Sequence, residues 1–233
     1  MAVAIRSWMR VREAEARDRS RRVARRRRTR VAAAAATLAV GLFGQTGALA
    51  VIADMPTPSG AMSVGRITSQ PIGHYEFCRD NPAECRSLGE RRRPAALTAT
   101  RWAALLEVNG AVNNAIAPLT DMELHGRTEL WSYPQDAGDC EDYALLKRGL
   151  LMDRGFSASD LLITVVRRPN GEGHAVLTVR TDHGDFVLDN LIKDVRDWRS
   201  TPYRFLKRQS STHAGRWVDI TGDMAPSMVG SVE

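Results

Sequence analysis

Between Asp139 and Ile192 a helical pattern gives way to three short strand-like runs joined by tight turns, and that order narrows the fold more than any other feature. The helix opens near Cys140: Asp139 stands at the N-cap, Glu141 and Asp142 fill the first turn, and Gly155 follows Arg154 as a stop. Tyr143, Leu146, Leu150 and Leu151 recur at helical spacing and supply a buried face. Leu161–Val166, Ala175–Thr181 and Phe186–Ile192 then read as strands, separated by Pro169-Asn170-Gly171-Glu172-Gly173 and by Asp182-His183-Gly184. A helix followed by such hairpins predicts an α+β fold. An earlier helix is expected from Thr98 or Thr100, with Trp102, Leu105, Leu106, Val108 and Val112 as its apolar contacts. Residues 118–138 hold Pro118, Gly126, Pro134 and Gly138 and are expected to form a long ordered connection rather than a helix.

The N-terminal region has a different character. Of the 233 residues, the first 50 carry 12 Arg, no Lys and 3 acids, a net charge of +9, while the rest hold 21 basic and 24 acidic residues. The overall charge of +6 therefore belongs to a leader, and the folded part is mildly acidic, which excludes a nucleic-acid-binding face. After Arg30 no charge appears until Asp54, and Ala48-Leu49-Ala50 ends the apolar stretch. Positive flank, apolar run and small residues make residues 1–50 a secretory signal cleaved after Ala50, or an uncleaved anchor. Either way the domain is expected on the periplasmic side, with residues 51–75 as a tether and 76–233 as the domain.

Export gives the three cysteines separate meanings. Cys78 and Cys85 read as a small-loop disulfide, worth about 2–3 kcal/mol by loop closure. Cys140 is left over as a candidate reactive thiol, with an inert buried cysteine as the alternative. Its place at a helix N-terminus favours a thiolate. A nucleophile also needs a base and an orienting group. His174, just after a Gly-rich turn, and Asp189, a charge inside Phe186-Val187-Leu188-Asp189-Asn190-Leu191, are the candidates. One register speaks against them: a His183-Gly184 turn sets Thr178 opposite Asp189 and leaves His174 about 13 Å along the strand. A zinc site from Cys140, His174 and Asp189 lacks paired-ligand spacing. His74, His125, His183 and His213 read as surface or packing residues.

The stretches Gly138-Asp139-Cys140-Glu141-Asp142-Tyr143-Ala144, Gly173-His174-Ala175-Val176-Leu177 and Gly184-Asp185-Phe186-Val187-Leu188-Asp189-Asn190 resemble the bacterial transglutaminase-like cysteine proteinases. That family includes periplasmic LapG-type enzymes that release surface adhesins, and the resemblance spans roughly Cys78 to Trp217. It implies a papain-like or transglutaminase-like core, with the Cys helix packed on an antiparallel sheet that carries His and Asp. It also implies that Cys140 attacks an amide carbonyl, His174 moves the proton and Asp189 orients His174. The substrate is then a protein, a surface adhesin by this resemblance, and an inner-membrane receptor is the implied regulator. An acyl transferase on the same fold, and a non-catalytic envelope binding module, are the rival functions.

Asp139, Glu141 and Asp142 crowd negative charge around the thiol and oppose its ionisation. They read either as first-turn acids that complement the helix dipole or as ligands for a hard cation. No EF-hand loop is present, but the resemblance implies Ca²⁺ held by Asp139, Glu141 and Asp142. The backbone N–H of Cys140 is one expected oxyanion donor, with Gln135 or Trp131 assisting.

Overall fold

The computed structural model describes residues 55–90 and 93–221. The expected leader, its cleavage point and residues 51–54 of the expected tether lie outside the described residues. Among the described residues no helix is long and apolar enough to cross a membrane.

Among the described residues four α-helices, α1 (Ile72–Asp80), α2 (Ala99–Ala115), α3 (Asp121–His125) and α4 (Cys140–Asp153), accompany a seven-stranded antiparallel sheet. Its strands are β1 (Val64–Thr68), β4 (Leu161–Arg167), β5 (Gly173–Thr181), β6 (Gly184–Leu188), β7 (Arg196–Asp197), β8 (Arg204–Ser210) and β9 (His213–Ile220). They lie in the order β1-β9-β8-β4-β5-β6-β7. Two short strands, β2 (Ala117–Pro118) and β3 (Ala137–Gly138), pair in parallel apart from it. The α+β expectation holds.

Alternation along the strands builds two cores. Leu161 and Ile163 of β4, Leu177 and Val179 of β5, and Phe186 and Leu188 of β6 turn to the helices, where they meet Leu105, Val108 and Val112 of α2 and Leu145, Leu146 and Leu151 of α4. Val166, Val176 and Val187 turn the other way onto Met62 and Trp198. Thr98 caps α2 by accepting from the Arg101 N–H at 3.2 Å. The part of the expected tether that is described is packed rather than loose: β1 pairs with β9 and Met62 is buried. Polar residues around Met62 and Val64 hid a strand whose apolar face is nearly absent, with Ile67 exposed. The connection over 118–138 also carries one short helix, α3, closed by a Thr120–Glu123 capping box.

Candidate active site

The β5–β6 hairpin decides whether His174 and Asp189 can meet. Thr181 pairs with Gly184 across a two-residue Asp182-His183 turn, one position earlier than the His183-Gly184 turn assumed from sequence. Leu177 then lies opposite Leu188, so the register continued past β6 brings Asp189 level with Val176. His174 is two residues away, about 7 Å along the strand and on the same side of the sheet, a distance two side chains span diagonally. His174 Nε2 and Asp189 Oδ1 stand 2.8 Å apart, both side chains buried. A carboxylate only accepts, so Nε2 carries the proton and Nδ1 is the basic nitrogen. The register objection is thereby removed.

Asp189 has further partners that the sequence did not disclose. Tyr203 Oη donates to Asp189 Oδ2 at 2.5 Å, and the Leu191 N–H donates to Oδ1 at 3.0 Å. Burial alone would raise Asp189, but His174, Tyr203 and Leu191 outweigh it and hold the carboxyl below its ordinary value. Burial and the Asp189 bond push Tyr203 up, so it stays a donor. The Tyr203 and His174 rings lie 5.5 Å apart. No local motif marks Tyr203; it reaches the site because β8 crosses back to pair with β4.

Cys140 begins α4, and the N–H of Ala175, the residue after His174, donates to its sulfur at 3.4 Å. The helix start is thus joined to the strand that carries the imidazole. The thiol donates to Glu141 Oε2 at 3.1 Å. Burial, then the Glu141 charge, push Cys140 well above the ordinary thiol range. Trp131 is spent elsewhere: it is buried against His74 and Trp217, and its Nε1 donates to Glu129. It is therefore not the oxyanion donor suggested by its position, whereas the main chain at the start of α4 is beside the thiol.

The acids divide differently from the expectation. The β2–β3 pair, with Leu119 N–H donating to the Gly138 carbonyl at 3.1 Å, pins residues 117–121 beside the start of α4. Tyr143 Oη reinforces this by donating to the Ile116 carbonyl at 2.5 Å. Asp121 of α3 is thereby brought to Asp139 and Asp142, with one oxygen of each within 4.8 Å of the others. Asp139 makes no side-chain cap bond to α4, so helix capping does not account for it. Asp121 Oδ2 accepts from the Leu130 N–H and Asp142 Oδ1 from the Ser132 N–H at 2.8 Å. The remaining oxygens, Asp121 Oδ1, Asp139 Oδ1 and Asp142 Oδ2, are buried without a hydrogen-bond partner. Burial and the Asp139 charge push Asp142 up to about 8, and burial and Asp139 raise Glu141. Only glycine fits at 138, because a Cβ there would stand 2.7 Å from Asp142 Oδ2. Three carboxylates brought together, each with a buried oxygen that lacks a partner, suit a hard cation. Glu141 faces the thiol and groups with Asp139 and Cys140, while Asp121, too far away in sequence to be noticed, groups with Asp139 and Asp142.

A family model described as bacterial transglutaminase-like cysteine proteinase, BTLCP, matches residues 64–225. The chain belongs to that family. Membership makes it a transglutaminase-like cysteine peptidase and accounts for the α+β core. Among solved structures the transglutaminase-like peptidase is similar to LapG of Legionella pneumophila, at 23% identity and a TM-score of 0.43 over 50% of this chain and 68% of that one. An EGTA-treated LapG aligns at 23% identity and 0.43, over 50% and 66%. A calcium-bound LapG aligns at 19% identity and 0.44, over 67% and 86%. Among curated proteins no relative matches.

Proposed function

We propose that this peptidase is an exported endopeptidase in which Cys140 attacks a peptide carbonyl, His174 transfers the proton and Asp189 orients His174. The 2.8 Å bond between His174 Nε2 and Asp189, next to the Ala175 N–H that holds the Cys140 sulfur, is the observation that carries this reading. Proton loss from the thiol to Nδ1 gives the thiolate that adds to the carbonyl; the returning proton leaves with the amine, and water then releases the acyl group from sulfur. Asp189 keeps the ring in the tautomer that makes this exchange possible, and Tyr203 keeps Asp189 in place. The fold itself does not distinguish water from an amine as acceptor of the acyl group, but both require the same thiol.

Asp121, Asp139 and Asp142 fit a calcium ion, which when bound would neutralise the buried carboxylates and brace the start of α4. This reading shifts the expected ligand set from Glu141 to Asp121. The Arg-rich leader followed by uncharged residues supports export, and the family resemblance supports a protein of the envelope or cell surface as substrate and an inner-membrane regulator. Envelope proteins incubated with the wild-type chain or with Cys140→Ala, in the presence of a labelled primary amine, decide the matter. New N-termini that appear only with wild type are expected. Incorporated amine without new termini would make the chain a transferase, and identical patterns would overturn the catalytic reading.

A further inference from the structure

The sheet continues one row past the residues that meet the nucleophile. On β5 the Ala175 N–H donates to the Cys140 sulfur, and Ala175 lies opposite Val165 of β4. In the next row on that face Arg167 of β4 stands directly between Gly173 of β5 and Arg204 of β8. Alternation fixes where the two arginines point. Val165 packs towards the helices, so Arg167, two residues on, takes the same side. Phe205 packs on the opposite side, so its neighbour Arg204 also turns to the side of α4. Rows on one face are about 7 Å apart, which puts both guanidinium groups within reach of a chain lying across Cys140.

Such a pair needs an explanation. Like charges directly opposite on paired strands repel and destabilise the sheet. Both arginines are exposed, and among the described residues neither meets a carboxylate: Arg167 donates to the Gly171 carbonyl at 2.7 Å, and Arg204 has no side-chain partner. Acids of the flanking loops are paired elsewhere, Glu172 with Arg168 and Asp194 with Arg196. A Cβ built on Gly173 would meet nothing within 4 Å, so the row is open to an incoming chain. Tyr203, the residue before Arg204, turns to the other face and holds Asp189, which ties this strand to the catalytic pair.

We propose that Arg167 and Arg204 form a subsite for a substrate carboxylate, so that the peptidase selects an Asp or Glu at a fixed distance from the bond it cleaves. The inference rests on the reading of Cys140 as nucleophile and gives its substrate a chemistry. A guanidinium presents a planar fork that matches a carboxylate, and one carboxylate between two forks turns a repulsive pair into a bridged one. The repulsion is relieved when the anion arrives, so the pair serves binding rather than stability.

A synthetic library of peptides of random sequence, incubated with the full wild-type chain in calcium-containing buffer, tests this by sequencing of the new N-termini. Sites with Asp or Glu at one fixed position are expected to be cleaved about tenfold more readily than the library average. Raised salt is expected to shrink that preference. Arg167→Gln with Arg204→Gln is expected to lose it, and Arg167→Glu with Arg204→Glu to move it to Lys or Arg. Cleavage without an acidic preference, or a preference that survives the double Gln variant, would overturn the subsite and leave the peptidase reading intact. No Cys140-dependent cleavage of any peptide would fail that reading and the subsite with it. The wild-type profile decides alone if a variant does not fold.

Discussion

At the scale of single residues, the site depends on how few atoms connect the strand to the helix. Cys140 touches the strand through the Ala175 N–H, and His174 is fixed by one 2.8 Å bond to Asp189. Cys140→Ala and His174→Ala are expected to abolish cleavage with the fold retained, since nucleophile and base have no substitutes within the site. Asp189→Asn is expected to leave a remnant, lowered by at least about a hundredfold in kcat/KM, because geometry and tautomer are lost rather than the reacting groups. Tyr203→Phe removes one charge-assisted bond, worth about 1.5–3 kcal/mol, and is expected to cost about tenfold through a less constrained Asp189. Steady-state kinetics on a cleaved envelope protein, with circular dichroism as the control for folding, checks all four. Cys140, His174 and Asp189 were legible as residue types within motifs. Tyr203 was not, because a tyrosine beside Pro202 carries no local signature and becomes a partner only through a long-range strand pairing.

At the scale of elements, two details of connection set the chemistry. The position of a turn by a single residue determines whether Asp189 lies level with Val176, within diagonal reach of His174, or opposite Thr178, and Thr181 opposite Gly184 gives the first. Pattern reading recovers the strands but not that register, since Asp182, His183 and Gly184 are all good turn residues. The parallel β2–β3 pair is likewise too short to be seen in sequence, yet it carries Asp121 to the start of α4. That is why the acids next to the thiol were found and their third partner was missed. Chelation with EGTA is expected to abolish cleavage and lower the melting temperature, with calcium restoring both. Asp121→Asn is expected to weaken calcium binding, read by calorimetry, about as much as Asp142→Asn. Unchanged activity and melting in EGTA, with no calorimetric signal, would leave these acids without a cation.

At the scale of the whole molecule, β1 and β9 form the far edge of the sheet, and α1 packs His74 against it. This imidazole is 1% exposed, and its Nδ1 accepts from the Trp217 Nε1–H at 3.1 Å. Burial, then the Arg148 charge, lower it to about 4. The unfolded chain thus binds a proton that the folded one refuses, so stability is complete above about pH 6.5 and falls as pH drops towards about 4, by roughly 3 kcal/mol. Denaturant titrations of wild type and His74→Gln at several pH values should show this slope only in the wild type. The disulfide between Cys78 and Cys85 ties α1 to the turn after it, and its reduction is expected to cost about 2–3 kcal/mol, or about 5–10 °C of melting temperature. The pairing and the α+β class were legible from cysteine spacing and the helix-then-hairpin order; the place of β1 was not, since its outward Ile67 and polar neighbours mimic a linker. The proposed mechanism turns on one proton exchange between Cys140 and His174, and the rate of Cys140 alkylation by iodoacetamide, followed by intact mass at neutral pH, reads it directly. If His174 activates the thiol, wild type gains one adduct at Cys140 at least about tenfold faster than His174→Ala. Equal rates in the two proteins would contradict it.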